Sequence, residues 1–83
     1  MLNLNVQRFK NYIIIEWQSA EINILLKDII NITTNDTPLK KLDHVVYIGI
    51  PSFSKKKIII KTKKIIFVLY TNNTLEILNE INK

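Results

Sequence analysis

The chain has 83 residues, no cysteine and a net charge of +5. This length predicts one domain, residues 1–83, and the lack of cysteine excludes a disulfide framework and any thiolate metal site. The apolar runs fall far short of the ~20 residues that a membrane-spanning helix needs, and the N-terminus has no secretory signal pattern. We therefore expect a cytoplasmic protein, at most peripheral to the inner face of the membrane.

In the first part of the chain, apolar and polar residues alternate, which is the pattern of half-buried strands. Isoleucine dominates these segments, and because it is β-branched and stiff at χ1 it favours strands over helices. Short polar connections separate four predicted strands, the last at residues 29–33. The side chains expected on the inward faces are Leu2, Leu4, Val6, Ile13, Ile15, Trp17, Ile22, Ile24 and Leu26.

Residues 34–44 form the one long polar interval, and their Asn, Asp, Thr and Pro residues are typical of turns. Three β-branched and aromatic runs follow at residues 45–50, 57–62 and 65–70, which predicts three more strands. Pro51 has no backbone donor, so we expect it to end the first of these strands or to lie on an edge. We expect all seven strands, within residues 2–70, to be antiparallel.

The last part of the chain changes its period and predicts a helix over residues 73–82. Asn73 and Glu76 have the spacing of a capping box. Ile77, Leu78 and Ile81 form an apolar stripe, which we expect to face the strands.

Seven strands followed by one amphipathic helix form the layout of a pleckstrin-homology-like (PH-like) barrel or sandwich. Five motifs carry a closer resemblance: Trp-Gln-Ser-Ala-Glu-Ile-Asn-Ile at residues 17–24, Asp-Ile at 28–29, Ile-Gly-Ile-Pro at 48–51, Ile-Ile-Ile-Lys-Thr at 58–62 and Tyr-Thr-Asn at 70–72. On these motifs the chain resembles the bacterial PH-like domain family of the sublancin immunity protein and its small Gram-positive relatives. The resemblance covers residues 12–81. It implies a mainly β fold capped by a C-terminal helix, and an immunity-type function.

Nothing in the sequence predicts catalysis. His44 is the single histidine and has no serine or cysteine nucleophile motif beside it. Gly49 is the single glycine, so a glycine-rich phosphate loop is excluded, and the aspartates do not have the spacing of a calcium loop. We therefore expect no enzyme activity, no cofactor and no metal site.

Positive charge is concentrated in residues 55–64, which hold six lysines and no acid, so the rest of the chain sums to 5 − 6 = −1. This cluster is the candidate site for anionic lipid or another polyanion. Nucleic acid is the less expected ligand because few aromatic side chains accompany the cluster. The alternative is that the lysines only solvate one hairpin and prevent edge pairing. The six lysines of this cluster are Lys55, Lys56, Lys57, Lys61, Lys63 and Lys64.

Strand edges offer a second way to bind, because an extended segment of another chain can add to an exposed sheet edge. Phe9, Tyr12 and Trp17 are expected to be core or barrel-end residues and not a ligand cage.

The sequence thus predicts a non-enzymatic PH-like binding module of bacteriocin- or toxin-immunity type that acts through a protein or peptide partner. Binding of anionic lipid or polyanion by the lysines is the alternative, and a homo-oligomer stays open.

Overall fold

The computed structural model describes residues 4–34, 44–50 and 56–82, which hold seven strands and one helix. The mainly β fold with a C-terminal helix is confirmed. Within the described residues, no helix has the length and apolar character needed to cross a bilayer. The elements are β1 (Leu4–Phe9), β2 (Tyr12–Trp17), β3 (Ala20–Leu25), a 3-10 turn (Leu26–Asp28), β4 (Ile29–Thr33), β5 (Val45–Ile48), β6 (Lys57–Thr62), β7 (Ile66–Tyr70) and α1 (Thr74–Ile81).

The strands form two sheets that do not close into a barrel. The first has the order β1-β2-β3 and is antiparallel throughout, and the second has the order β4-β6-β7-β5. The prediction of seven antiparallel strands is wrong for one pair, because β5 runs parallel to β7. Residues 49–56 separate β5 from β6, so no tight turn forces these two strands to pair. β5 instead joins the far side of β7 and runs parallel to it.

The main core lies between the two sheets, where isoleucine side chains from both meet. The alternation predicted for the first three strands is confirmed: Val6, Ile13, Ile15 and Ile24 are buried, and Leu4, Trp17, Ile22 and Leu26 pack against them partly exposed. Leu2 lies outside the described residues. The buried residues of this core are Val6, Ile13, Ile15, Ile24, Ile48, Ile58, Ile60, Phe67, Leu69, Ile77 and Ile81.

The second sheet is also buried on its outer face. Ile59, Ile66 and Val68 form a separate buried cluster there, and Val45 and Tyr70 pack against it. A strand with both faces buried needs apolar residues at consecutive positions. This explains why β6 and β7 contain uninterrupted apolar runs, whereas β1 and β3 alternate.

The helix α1 packs against β1 with Ile77 and Ile81 buried and Leu78 half-buried. The Arg8 guanidinium donates a hydrogen bond to the Ile81 carbonyl oxygen at 3.3 Å, which places a cation at the negative end of the helix dipole. The predicted capping box does not form, since the Asn73 side chain makes no capping hydrogen bond. The Asn73 N–H instead donates to the Thr71 hydroxyl at 3.1 Å.

We expect Ile77→Ala to lower the free energy of unfolding by about 2–5 kcal/mol, because it deletes a fully packed side chain. Leu75→Ala, on the same helix, is the matched control: Leu75 is 76% exposed, and surface substitutions change stability by only about 0.5 kcal/mol. Urea unfolding followed by circular dichroism measures both. Equal losses in the two variants would contradict this packing of α1.

Candidate functional site

Three chain connections meet at one end of the molecule. They are the β1–β2 turn at residues 10–11, the 3-10 turn Leu26–Asp28 and the β6–β7 turn at residues 63–64. Backbone hydrogen bonds join them: the Leu26 N–H donates to the Asn11 carbonyl at 2.8 Å, and the Lys63 N–H donates to the Asp28 carbonyl at 3.1 Å. The end is therefore a hydrogen-bonded unit to which both sheets contribute.

This end carries an excess of positive charge, and we call it the basic end, defined by Lys10, Lys27, Lys63 and Lys64. All four side chains are exposed, and Asp28 is the one carboxylate on the same three connections, so the net charge is 4 − 1 = +3. Among the described residues, none of these four ammonium groups forms an ion pair. The Lys10 ammonium lies 5.4 Å from the centroid of the Phe9 ring. The charge at this end is thus largely uncompensated by the part of the chain that the structure describes.

A cleft of about 390 Å³ opens at the basic end, at the junction of the two sheets. Its volume lies within the range of small-molecule sites, roughly 300–1,000 Å³. Apolar side chains and polar or charged ones both line it, so it suits a ligand with an apolar part and a charged part. The lining residues are Tyr12, Asn23, Ile24, Leu25, Asp28, Thr62, Lys63, Lys64, Ile65 and Phe67.

Phe9 and Tyr12 flank the basic end and are 57% and 42% exposed. The expectation that they are core residues is wrong. The alternative expectation, that they are barrel-end residues, agrees with their position at the end of the sheet. They form the last pair of the β1–β2 ladder, beside the turn where Lys10 has a positive φ of 55°. Continuing the alternation from Val6 by three residues, and from Ile13 back by one, would have placed both rings outward, which is the signal that the sequence interpretation missed.

The structure divides the lysine cluster predicted from the sequence. Lys63 and Lys64 lie at the basic end, whereas Lys56 and Lys57 lie at the other end of β6. Six residues along a strand span roughly 20 Å, so these pairs cannot contact one small ligand together. Lys61 is exposed and pairs with Asn31 and Ile66 in the ladder, and Lys55 lies outside the described residues. The structure instead brings Lys10 and Lys27, which the sequence interpretation did not select, to Lys63 and Lys64.

Thr62 holds the lysine turn in place. Its hydroxyl donates to the Ile65 carbonyl oxygen at 2.6 Å and accepts from the Ile65 N–H at 3.0 Å. The backbone N–H of Thr62 donates to the same carbonyl at 2.9 Å. One threonine therefore closes the β6–β7 connection and fixes the positions of Lys63 and Lys64.

The described part of the chain holds no group of three or more His, Cys, Asp or Glu residues close enough to ligate a metal. His44 is exposed at the start of β5, and its carbonyl oxygen accepts a hydrogen bond from the Ile66 N–H at 2.8 Å. The backbone of His44 is thus hydrogen-bonded to β7, while its side chain is exposed.

Comparison with known proteins identifies relatives along the whole chain. The family model described as "SunI-like bacterial PH domain" matches residues 2–83. A UPF0457 protein of Bacillus thuringiensis subsp. konkukian is 41% identical over 83 residues, which cover 99% of each chain. The UPF0457 protein YnzG of Bacillus subtilis is 31% identical over 81 residues, which cover 98% of each chain. No solved structure matches the chain.

We expect Thr62→Val to loosen the lysine turn, because valine keeps the branched shape of threonine but removes two side-chain hydrogen bonds. The loss should be roughly 1–3 kcal/mol of unfolding free energy. Thr62→Ser keeps the hydroxyl and is the control. Amide hydrogen exchange measures the effect locally: in the valine variant the Ile65 N–H should exchange faster, while the Ile58 N–H within the ladder should change less. An unchanged rate at Ile65 would contradict the assigned role of the hydroxyl.

Proposed function

We propose that this protein, which belongs to the SunI-like bacterial PH domain family, is a non-enzymatic module that binds an anionic membrane surface through its basic end. One observation carries the proposal. The fold brings four lysines from three separate connections, and two exposed aromatic rings, to the same end of the molecule. Lys63, Lys64 and Tyr12 line a cleft at this end. The sequence favoured a protein partner over a lipid surface, and the gathering of these side chains reverses that order.

The physical basis is electrostatic attraction combined with interfacial aromatic contact. Each lysine near an anionic leaflet contributes about 1 kcal/mol, so four lysines give weak and reversible attachment. Phe9 and Tyr12 present apolar ring surface at the same end, and tyrosine in particular is favoured at membrane interfaces because one end of its ring is polar. The attraction is screened over ~8 Å at physiological ionic strength, so binding should weaken as salt rises.

Nucleic acid is the less suitable polyanion for this end. Single strands bind in a positively charged groove that follows several nucleotides, with successive bases stacked on aromatic rings. Here Lys63 and Lys64 line one cleft. Lys56 and Lys57 lie roughly 20 Å away, at the other end of β6. The arrangement of lysines fits a single lipid headgroup region better than an extended strand of nucleic acid.

The double variant Lys63→Gln/Lys64→Gln should reduce binding to vesicles of phosphatidylglycerol and phosphatidylcholine. At about 1 kcal/mol for each lysine, the expected loss is roughly thirtyfold in the partition coefficient at low salt. The measurement is vesicle sedimentation at constant lipid concentration.

Lys56→Gln/Lys61→Gln is the matched control, because it removes the same net charge from lysines outside the basic end. It should lose far less affinity. If both double variants lose affinity equally, the interaction depends on net charge alone and the basic end is not the site. Equal binding of the unsubstituted protein to phosphatidylcholine vesicles would contradict membrane binding, and tighter binding to single-stranded DNA would make nucleic acid the ligand.

A second candidate function is recognition of a protein or peptide partner in an immunity-type role. Two observations favour it: the family model is described as SunI-like, and the two sheets leave strand edges at which an extended segment can add. The partner in that role would be a toxin or bacteriocin, and protection would require binding without chemistry.

Expression of the chain in a sensitive Gram-positive host, followed by challenge with the product of a neighbouring toxin gene, tests this role. We expect a higher inhibitory concentration of the toxin than in the same host carrying the empty vector. The Lys63→Gln/Lys64→Gln variant separates the two candidate functions. If this chain binds the toxin by strand addition, the variant should still protect the host. No protection by the unsubstituted chain would contradict the immunity role.

A further inference from the structure

The strand β5 has one side that no described strand covers. It pairs only with β7 within the described residues and lies at the end of the second sheet. Val46 is 36% exposed and Tyr47 is 58% exposed, so the side chains beside this edge are accessible. The strand edge is therefore a place where another strand can add.

The parallel ladder determines which backbone groups are available at this edge. The Ile66 N–H donates to the His44 carbonyl, and Val45 is the residue in register with Ile66. The backbone N–H and C=O groups of successive residues point to opposite sides of a strand. Those that point toward β7 therefore belong to His44, Val46 and Ile48. The N–H and C=O groups of Val45 and Tyr47 point the other way, to the edge that no described strand covers.

This edge lacks the devices that keep the other edges from pairing. β1 is packed against α1, β3 carries Glu21, and β4 has an irregular register between Ile29 and Asn31. β5 reads Val-Val-Tyr-Ile, with no charged residue. Charged side chains and bulges on edge strands oppose sheet extension, and β5 has neither.

We propose that β5 pairs with β5 of a second copy of this chain, antiparallel about a two-fold axis at Val46. In this register Val45 of each copy faces Tyr47 of the other, and the N–H and C=O groups of both residues form four hydrogen bonds across the axis. The two Val46 residues then meet as a non-hydrogen-bonded pair, with Cα atoms ~4.5 Å apart. The result is one sheet of eight strands that spans both copies.

The aromatic side chains give this register a second basis. Tyr47 already stacks on Tyr70 in its own chain, with ring centroids 6.1 Å apart and planes 13° from parallel. Diagonal neighbours on adjacent strands lie ~7–8 Å apart, which is within reach of aromatic rings. The Tyr47 rings of the two copies can therefore meet on the outer face, so that a row of four tyrosines covers surface that is exposed in one copy.

Charge permits a second copy as the occupant, and the meeting of the two Tyr47 rings favours it. Like charges directly opposite each other across a two-fold axis would oppose self-pairing, and β5 presents none. Two four-residue strands bury less than the ~1,200 Å² of a stable interface, so the dimer should be weak and concentration-dependent. This inference does not rest on either proposed function.

Single-cysteine variants test the register, because the chain has no cysteine of its own. The close Cα atoms predicted at Val46 suit a disulfide, so Val46→Cys should form a covalent dimer on mild oxidation at least about tenfold faster than Ile30→Cys. Ile30 is the matched control, since it is 60% exposed on β4, the opposite edge strand of the same sheet. Equal rates, or a faster reaction of Ile30→Cys, would overturn the proposal.

Sedimentation equilibrium of the unsubstituted chain gives the second readout. We expect its average mass to rise with protein concentration. Tyr47→Pro removes an edge donor but no bond of the internal ladder, so it should abolish this rise, whereas Tyr47→Val keeps the donor and should retain part of it. A constant monomer mass up to millimolar concentration, or persistence of the dimer in folded Tyr47→Pro, would overturn the proposal.

Discussion

The pairing of β6 with β7 is the interaction on which the rest of the fold depends. These two strands occupy the middle of the second sheet, with β4 on one side and β5 on the other, and both of their faces are buried. Consecutive apolar residues leave no room for charge inside the hairpin, so the lysines lie near its ends. Thr62 closes the connection by three hydrogen bonds, and Lys63 and Lys64 follow it directly. The same constraint that builds the core therefore sets the position of half of the basic end.

The single glycine, Gly49, lies where the edge strand β5 ends, close to β7 of the hairpin. Gly49 follows β5 with a positive φ of 99°, a conformation that residues with a side chain rarely adopt. A Cβ atom at this position would also lie 2.7 Å from the carbonyl oxygen of Tyr70, at the end of β7. The Ile-Gly-Ile-Pro motif therefore has a physical reason: only glycine lets the chain leave β5 so close to β7. The close approach lies directly after the last pair of the parallel ladder, Ile48 and Leu69.

Period and β-branching were sufficient to predict the seven strands, the inward faces of the first three and the helix, because each strand is a local pattern that burial reinforces. Pairing partners could not be predicted in the same way. The parallel pairing of β5 with β7 joins residues about twenty positions apart in the sequence. The same limit applies to the site: Lys63 and Lys64 were selected because they are neighbours in sequence, whereas Lys10 and Lys27 join them only through the hydrogen bonds Leu26–Asn11 and Lys63–Asp28. Conversely, Lys56 and Lys57 are close to Lys63 in the sequence, but the fold places them at the other end of β6.

The proposed basic end and the proposed dimer edge are related by geometry. The basic end lies where β6 ends and β7 begins, and β5 runs away from it, parallel to β7. An antiparallel pair of β5 strands about a two-fold axis therefore directs the two basic ends in opposite directions. Bivalent binding strengthens attachment only if both sites can engage at once, and one flat membrane cannot contact both ends of such a dimer. Self-association through β5 would thus leave the affinity of each basic end for a single membrane unchanged, and a dimer engaged at both ends would have to lie between two surfaces.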